Sequence, residues 1–185
     1  MNLYGNGIRL SKVSAADLDF ICRVECDPSL WYFEEHVQWD ENEVKLNFLE
    51  KMEQRDPISA YDFVVFLEEK ERSTPIGLAQ IWSYNDYRRS WEIGFAILPE
   101  FSGRGYGSEA GTLLLKFAFE KLHAHKVVGM CNAGNRRSAS LMERIGMTRE
   151  AVFREELWWQ ERWSDQYFFS ILDNEFQSSN GKRTE

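Results

Sequence analysis

The stretch Pro99-Glu100-Phe101-Ser102-Gly103-Arg104-Gly105-Tyr106-Gly107-Ser108-Glu109-Ala110 decides how the chain is read. Before it runs Trp91-Glu92-Ile93-Gly94-Phe95-Ala96-Ile97-Leu98, a β-type run, and after it an apolar-periodic run extends from residue 110 to 122. The order is strand, proline, glycine loop, helix. Glycine permits positive φ and close approach, so consecutive N–H groups can converge on one anion just ahead of a helix N-terminus. A phosphate or pyrophosphate is the expected ligand. A glycine-rich turn that merely ends a strand is the competing reading.

Two phosphate loops are excluded. GxxxxGK[ST] requires a Lys-Ser/Thr pair that is absent, and GxGxxG requires a third glycine one residue beyond Gly107. The segment Ser102-Gly103-Arg104-Gly105-Tyr106-Gly107 instead resembles the acyl-CoA pyrophosphate loop of the GNAT N-acetyltransferases, Gln/Arg-x-x-Gly-x-Gly/Ala, with Ser102 departing from the usual Gln or Arg. Four segments together look like the RimJ/RimL-type, ribosomal-protein-acetyltransferase branch: Glu92-Ile93-Gly94-Phe95, the run from Gly103 to Ala110, Asn135-x-x-Ser138, and Glu143-Arg144-Ile145-Gly146-Met147.

That resemblance implies an α/β fold, a GNAT-like mixed, centrally splayed sheet of about seven strands flanked by helices. It also implies acetyl-CoA as co-substrate and acetyl transfer, by direct attack in a ternary complex, to a primary amine. The amine would belong to a protein N-terminus or to a small molecule such as a polyamine, amino acid or antibiotic. Amides of Ser102, Gly103, Arg104, Gly105, Tyr106, Gly107 and Ser108 would hold the pyrophosphate, with Arg104 adding charge, while Asn135 and the backbone of Phe95, Ala96 and Ile97 meet the pantetheine end. The family's general base, where this strand carries one, stands ten residues before the Gln/Arg anchor, which is Glu92 here; a structural carboxylate is the alternative. The tyrosine that many members place seven residues after the asparagine is Met142, so Ser138 is the nearest hydroxyl for protonating the thiolate, with a water molecule as the alternative. Loss of that tyrosine also leaves open a non-catalytic acyl-CoA-binding or sensing module. A third reading is an acidic protein-interaction domain that takes no nucleotide.

At 185 residues with 43% apolar content, one compact domain is expected over 1–173, followed by a polar, disordered tail over 174–185. The net charge of −8 argues against a nucleic-acid-coating protein and suits a cationic substrate, though acidic surfaces also simply confer solubility. Cys22, Cys26 and Cys131 form no CxxC pair and no even set, so they read as thiols in a reducing cytoplasm. No metal site is expected, His123 and His125 included. No signal-like start or run of about 20 apolar residues occurs, so a soluble cytoplasmic monomer or homodimer without membrane partners is expected.

Along the chain, residues 8–13 alternate as a strand and Ser14-Ala15-Ala16-Asp17 offers a helix start, with Leu18, Ile21 and Val24 on the buried face. The stretch Trp31-Tyr32-Phe33-Glu34-Glu35 is aromatic and acidic. Trp31, Tyr32, Glu34 and Glu35 are therefore candidates for holding a cationic acceptor, against the plainer reading of aromatics folded into the core. Asp40-x-x-Glu43 starts a second helix carrying Val44, Leu46, Phe48 and Leu49, stopped by Asp56-Pro57. Strands are expected over 61–67 and 76–84 as a hairpin, then 91–98, 126–131, 147–158 and 163–172, with helices over 106–122 and 136–145. In the strand beginning at Trp91, Glu92, Gly94 and Ala96 share a face, so two tiny residues leave space beside a carboxylate.

Overall fold

The structure, a computed structural model, describes residues 1–53, 59–70 and 72–181. Eight strands and five α-helices follow the order β1 (Asn2–Tyr4), β2 (Ile8–Lys12), α1 (Leu18–Glu25), α2 (Glu41–Glu53), β3 (Ala60–Glu69), β4 (Arg72–Asn85), β5 (Ser90–Ile97), α3 (Tyr106–Glu120), β6 (Lys126–Asn132), α4 (Arg136–Arg144), β7 (Thr148–Trp159), β8 (Arg162–Leu172) and α5 (Asp173–Gly181). They build one mixed sheet in the order β1-β2-β3-β4-β5-β6-β8-β7, antiparallel throughout except for the parallel pair β5–β6. The α/β class and the helix-flanked mixed sheet are those the sequence led us to expect.

Period-two alternation sends neighbouring strand residues to opposite faces. Phe63, Ile81 and Ile93 pack on Ala110, Leu114 and Phe117 of α3, whereas Val64, Leu78 and Ala96 meet Ile21 and Val24 of α1 and Val44 and Phe48 of α2. The strand pattern thus builds two cores, one on each side of the sheet. The 3₁₀ turn Ala15–Asp17 that leads into α1 is held by Ser14, whose N and Oγ both donate to Asp17 Oδ2, at 2.9 and 2.7 Å.

Three features were not legible in the sequence. The eight strands agree with the expected sheet of about seven; the added one, β1, is three residues long, too short for alternation to be legible, and it pairs with β2 from Asn2↔Ser11 to Tyr4↔Arg9. On α2 only Val44 and Phe48, four residues apart, are buried, while Leu46 and Leu49 are exposed. The stretch after residue 173 is helical as far as Gly181 rather than a disordered tail: Phe176 is buried with its ring centroid 5.1 Å from that of Phe119, and Glu175 Oε2 accepts from Leu172 N at 2.9 Å. One buried aromatic and one cap are enough to dock a short polar helix. The stop expected at Asp56-Pro57 and the tail from 182 onward lie outside the described residues. Among the described residues no helix is long and apolar enough to cross a membrane.

Candidate active site

β5 and β6 pair only from Ser90↔Lys126 to Glu92↔Val128. Beyond that point β5 follows β4 as far as Ile97 and β6 follows β8 as far as Asn132. The two central strands therefore part at Glu92, and a cavity of about 970 Å³ opens in the fork. Phe95, Ala96 and Ile97 line it from β5, and Met130, Cys131 and Asn132 from β6.

One end of this cavity is the start of α3. Pro99–Phe101 forms a 3₁₀ turn, after which Gly103 and Gly105 adopt φ of 78° and 90°. An L side chain at either position would be strained, since positive φ brings its Cβ against the backbone. The N–H groups of Gly103, Arg104, Gly105, Tyr106, Gly107 and Ser108 have no acceptor among the described residues; the first helical bond here is Glu109 N to Gly105 O at 3.0 Å. Ser102 differs from expectation. Its N–H already donates to Pro99 O at 3.1 Å and its Oγ to Leu98 O, so its amide is spent on the turn.

Gly107 lies inside α3, where a Cβ would come within 2.9 Å of Leu141 Cδ1; it lets α4 approach. Arg104 is exposed and does not line the cavity. The cationic side chains that do are Arg136, Arg137 and Arg144 of α4, which sequence reasoning missed. The signal was the seven-residue spacing of Arg137 and Arg144, two turns apart on one helical face.

Asn135 caps α4, its Oδ1 accepting from Ser138 N at 3.1 Å, so the Asn-x-x-Ser pattern is first a helix start. The Ser138 hydroxyl lies against the Cys131 thiol, and burial pushes that thiol up to about 11 despite this contact and with Glu34 adding to the rise. Met142 is buried beneath Gly129.

The opposite end is acidic and aromatic. Glu92 stands directly across from Trp82, whose Nε1–H donates to Glu92 Oε2 at 3.0 Å. Burial pushes the Glu92 carboxyl up to about 7; the Trp82 bond opposes this and the nearby Glu34 charge adds to it. The Glu34 carboxyl is itself raised, by burial and then by Glu35.

Trp31, Tyr32, Phe33 and Glu34 line this end of the cavity. The segment is strapped down: Trp31 Nε1 donates to Val24 O at 2.9 Å and Trp159 Nε1 to Tyr32 O at 2.6 Å, and the Phe33 ring stacks on Trp159 at 5.4 Å. Glu35 is not brought into the site, because its Oε1 accepts from Trp158 N on β7.

The outcome is a cavity with opposite chemical ends, donors and guanidinium groups at one and carboxylates and indoles at the other. These features define a class of α/β fold with a forked mixed sheet, shaped to seat an anionic ligand beside a carboxylate. The chain belongs to the GNAT family: the profile described as "Acetyltransferase (GNAT) domain" matches residues 8–148.

Among relatives, the uncharacterised N-acetyltransferase YnaD of Bacillus subtilis is 32% identical over 87 residues, 47% of this chain and 51% of that protein, so the chain spans about half the length of this relative. The spermidine N(1)-acetyltransferase of Vibrio cholerae is 25% identical over 174 residues, 91% of this chain and 95% of that one. The structure of spermidine N-acetyltransferase from Vibrio cholerae in complex with CoA and spermine superposes with a TM-score of 0.84 at 22% identity, covering 94% of this chain and 99% of that chain. That likeness concerns the fold.

Proposed function

We propose that the protein is an N-acetyltransferase of the RimJ/RimL type that moves an acetyl group from acetyl-CoA to a primary amine in a ternary complex. The observation carrying this reading is the run of six acceptor-free amides, Gly103 to Ser108, of which all but Arg104 belong to residues lining the same cavity as Glu92. Such a run of free donors at a helix start is suited to cradle a diphosphate. The cavity volume is in the range that takes a large cofactor. Acetyl-CoA, when bound, supplies an acetyl group already activated as a thioester.

The roles fall to this chain's own groups. Glu92 accepts a proton from the acceptor's ammonium, directly or through water, which frees the lone pair for attack; its raised pKa sets it close to working pH. Backbone N–H groups along Phe95, Ala96 and Ile97 meet the charge that develops on the carbonyl oxygen. Ser138 is the group proposed to return a proton to the departing sulfur, and the Asn135 amide orients the pantetheine arm. Glu34, Trp31 and Tyr32 receive the cationic acceptor, whose positive charge suits two carboxylates and indole faces. A polyamine-like acceptor is supported by the relative's name. Three free cysteines fit a reducing cytoplasm.

The test is a thiol-release assay with acetyl-CoA over a panel of polyamines, amino acids, aminoglycosides and N-terminal peptides. Release of CoA with at least one amine is expected. Tight binding of acetyl-CoA with no release for any acceptor would instead establish the non-catalytic module, a reading that the buried Met142 in place of a hydroxyl keeps in play.

A further inference from the structure

The acidic end of the cavity does not stop at Glu92. Phe168 of β8 lies directly across from Met130 of β6, and Phe153 of β7 directly across from Gln166 of β8; Met130 and Gln166 both line the cavity. Directly opposed residues share a face of the sheet, so the two rings continue the cavity wall outwards. Tyr84, at the irregularity of β4 just beyond Trp82, is turned onto the same face, its ring centroid 6.2 Å from that of Phe168, and Phe153 closes on Phe168 from the other side at 5.6 Å. Phe168 is 9% exposed, but Tyr84 is 46% exposed and Phe153 36%. The three rings form an apolar apron, open to solvent and continuous with the site.

Charge separates the two regions. Glu92 and Glu34 sit in the cavity, whereas the acid beside the apron, Glu150, is already paired with Lys126 at 2.7 Å and accepts from Ser170 Oγ at 2.6 Å. Lys126 itself lies over Phe168, 5.8 Å from the ring centroid. An ammonium therefore suits the cavity, while the apron, with its cation in place and Glu150 occupied, suits an uncharged flat group that stacks on rings. The step along β4 from Trp82, which holds Glu92, to Tyr84 is about 7 Å, and this sets the separation of amine and ring.

We infer that the Tyr84–Phe168–Phe153 apron seats the body of the acceptor, and that the acceptors of this protein are primary amines carried on an aromatic ring by a short alkyl linker, in preference to linear polyamines. The inference rests on the amine-acetylation reading above and narrows its acceptor.

Isothermal titration of the CoA-saturated protein at pH 8 with 2-phenylethylamine, ethylamine and spermidine tests it without recourse to turnover. Phenylethylamine should bind at least about tenfold more tightly than either of the others, the order given by ring contacts together with the ring area removed from water. Y84A/F153A should bring the phenylethylamine-to-ethylamine ratio to within about twofold of unity, and Y84L, which keeps apolar bulk but loses the ring, should fall between. CoA affinity, measured on each variant, should be unchanged and shows that the variants are folded. Equal affinities for the three amines, tighter binding of spermidine, no binding of phenylethylamine, or variants that weaken all three alike overturn the apron. So does a wild-type dimer, seen by light scattering, that Y84A/F153A converts to monomer, since a second copy would then occupy these rings. Release of CoA from acetyl-CoA with ethylamine or spermidine, but without the ring preference, sinks the apron and leaves the transferase reading standing; tight, apron-dependent binding of phenylethylamine with no release for any amine upholds the apron and sinks the transferase reading.

Discussion

Replacing Glu92 by Gln removes the proton acceptor while keeping an oxygen that can accept from the Trp82 indole. A general base contributes about 10²–10⁴-fold, so turnover at neutral pH should fall by that order without vanishing, the remainder coming from holding two substrates together. The pH profile is the sharper readout. Wild-type kcat/KM should rise as pH passes about 7, where Glu92 ionises, and E92Q should lose that limb.

The same carboxyl makes a stability prediction of definite sign. Its pKa is raised from 4.5 to about 7 in the folded protein, so between those values the native state keeps a proton the unfolded chain has lost, and stability falls as pH rises. At about 1.4 kcal/mol per unit the full shift is about 3 kcal/mol; partial solvation trims the expected effect to about 1–3 kcal/mol. E92Q should therefore match the wild type near pH 4.5 and melt about 3–8 °C higher at pH 8. An E92Q protein with an unaltered rate across pH and no gain in melting temperature at pH 8 would refute both the base assignment and the environment that motivates it.

Three further outcomes are expected. Gly105→Ala meets no atom within 4 Å but must hold φ of 90°, so calorimetry should show about 1–2 kcal/mol of destabilisation together with weaker CoA binding; an unchanged melting curve would mean the loop relaxes freely. Glu34→Gln removes a charge that raises the Glu92 carboxyl, so the rising limb of the pH–rate profile should move to lower pH, and an unmoved limb would separate the two carboxylates. Phe176→Ala should cost about 2–4 kcal/mol in chemical denaturation and leave CoA affinity alone; a neutral result would make α5 dispensable to the domain.

What the sequence disclosed was governed by local rules. The turn from β5 into α3 was legible because only glycine suits residues 103 and 105, and the placing of Glu92 because alternation forces it onto the face of Gly94 and Ala96. What it hid depends on distant packing. That Ser102 spends its amide on Pro99, and that Gly107 exists to admit Leu141, follow from how the 3₁₀ turn closes and where α4 docks. The arginine stripe was equally hidden, since spacing shows that Arg137 and Arg144 share a face but not what the face looks upon. The place of Glu35 was hidden for the same reason: two adjacent glutamates read alike, and only the structure shows that Glu34 lines the cavity while Glu35 Oε1 accepts from Trp158 N on β7.

Glu92 is also the last residue of β5 paired to β6, and the proposed mechanism depends on this coincidence. The carboxylate that needs an apolar, partly closed setting sits at the apex of the fork, where the sheet is still continuous. The backbone donors that need open space begin three residues beyond it, at Phe95, where the strands have parted. A shift of the β5–β6 register by a single residue would move the base to the other face of the sheet and displace the donors with it, because side chains alternate with period two. The parallel pair is short, but β4 and β8 fix it from either side through eight and seven partnered residues of β5 and β6. Acid–base group, open edge and anion cradle are thus set by one register, and a substitution that loosens the β4–β5 pairing should impair proton removal and coenzyme binding together rather than either alone.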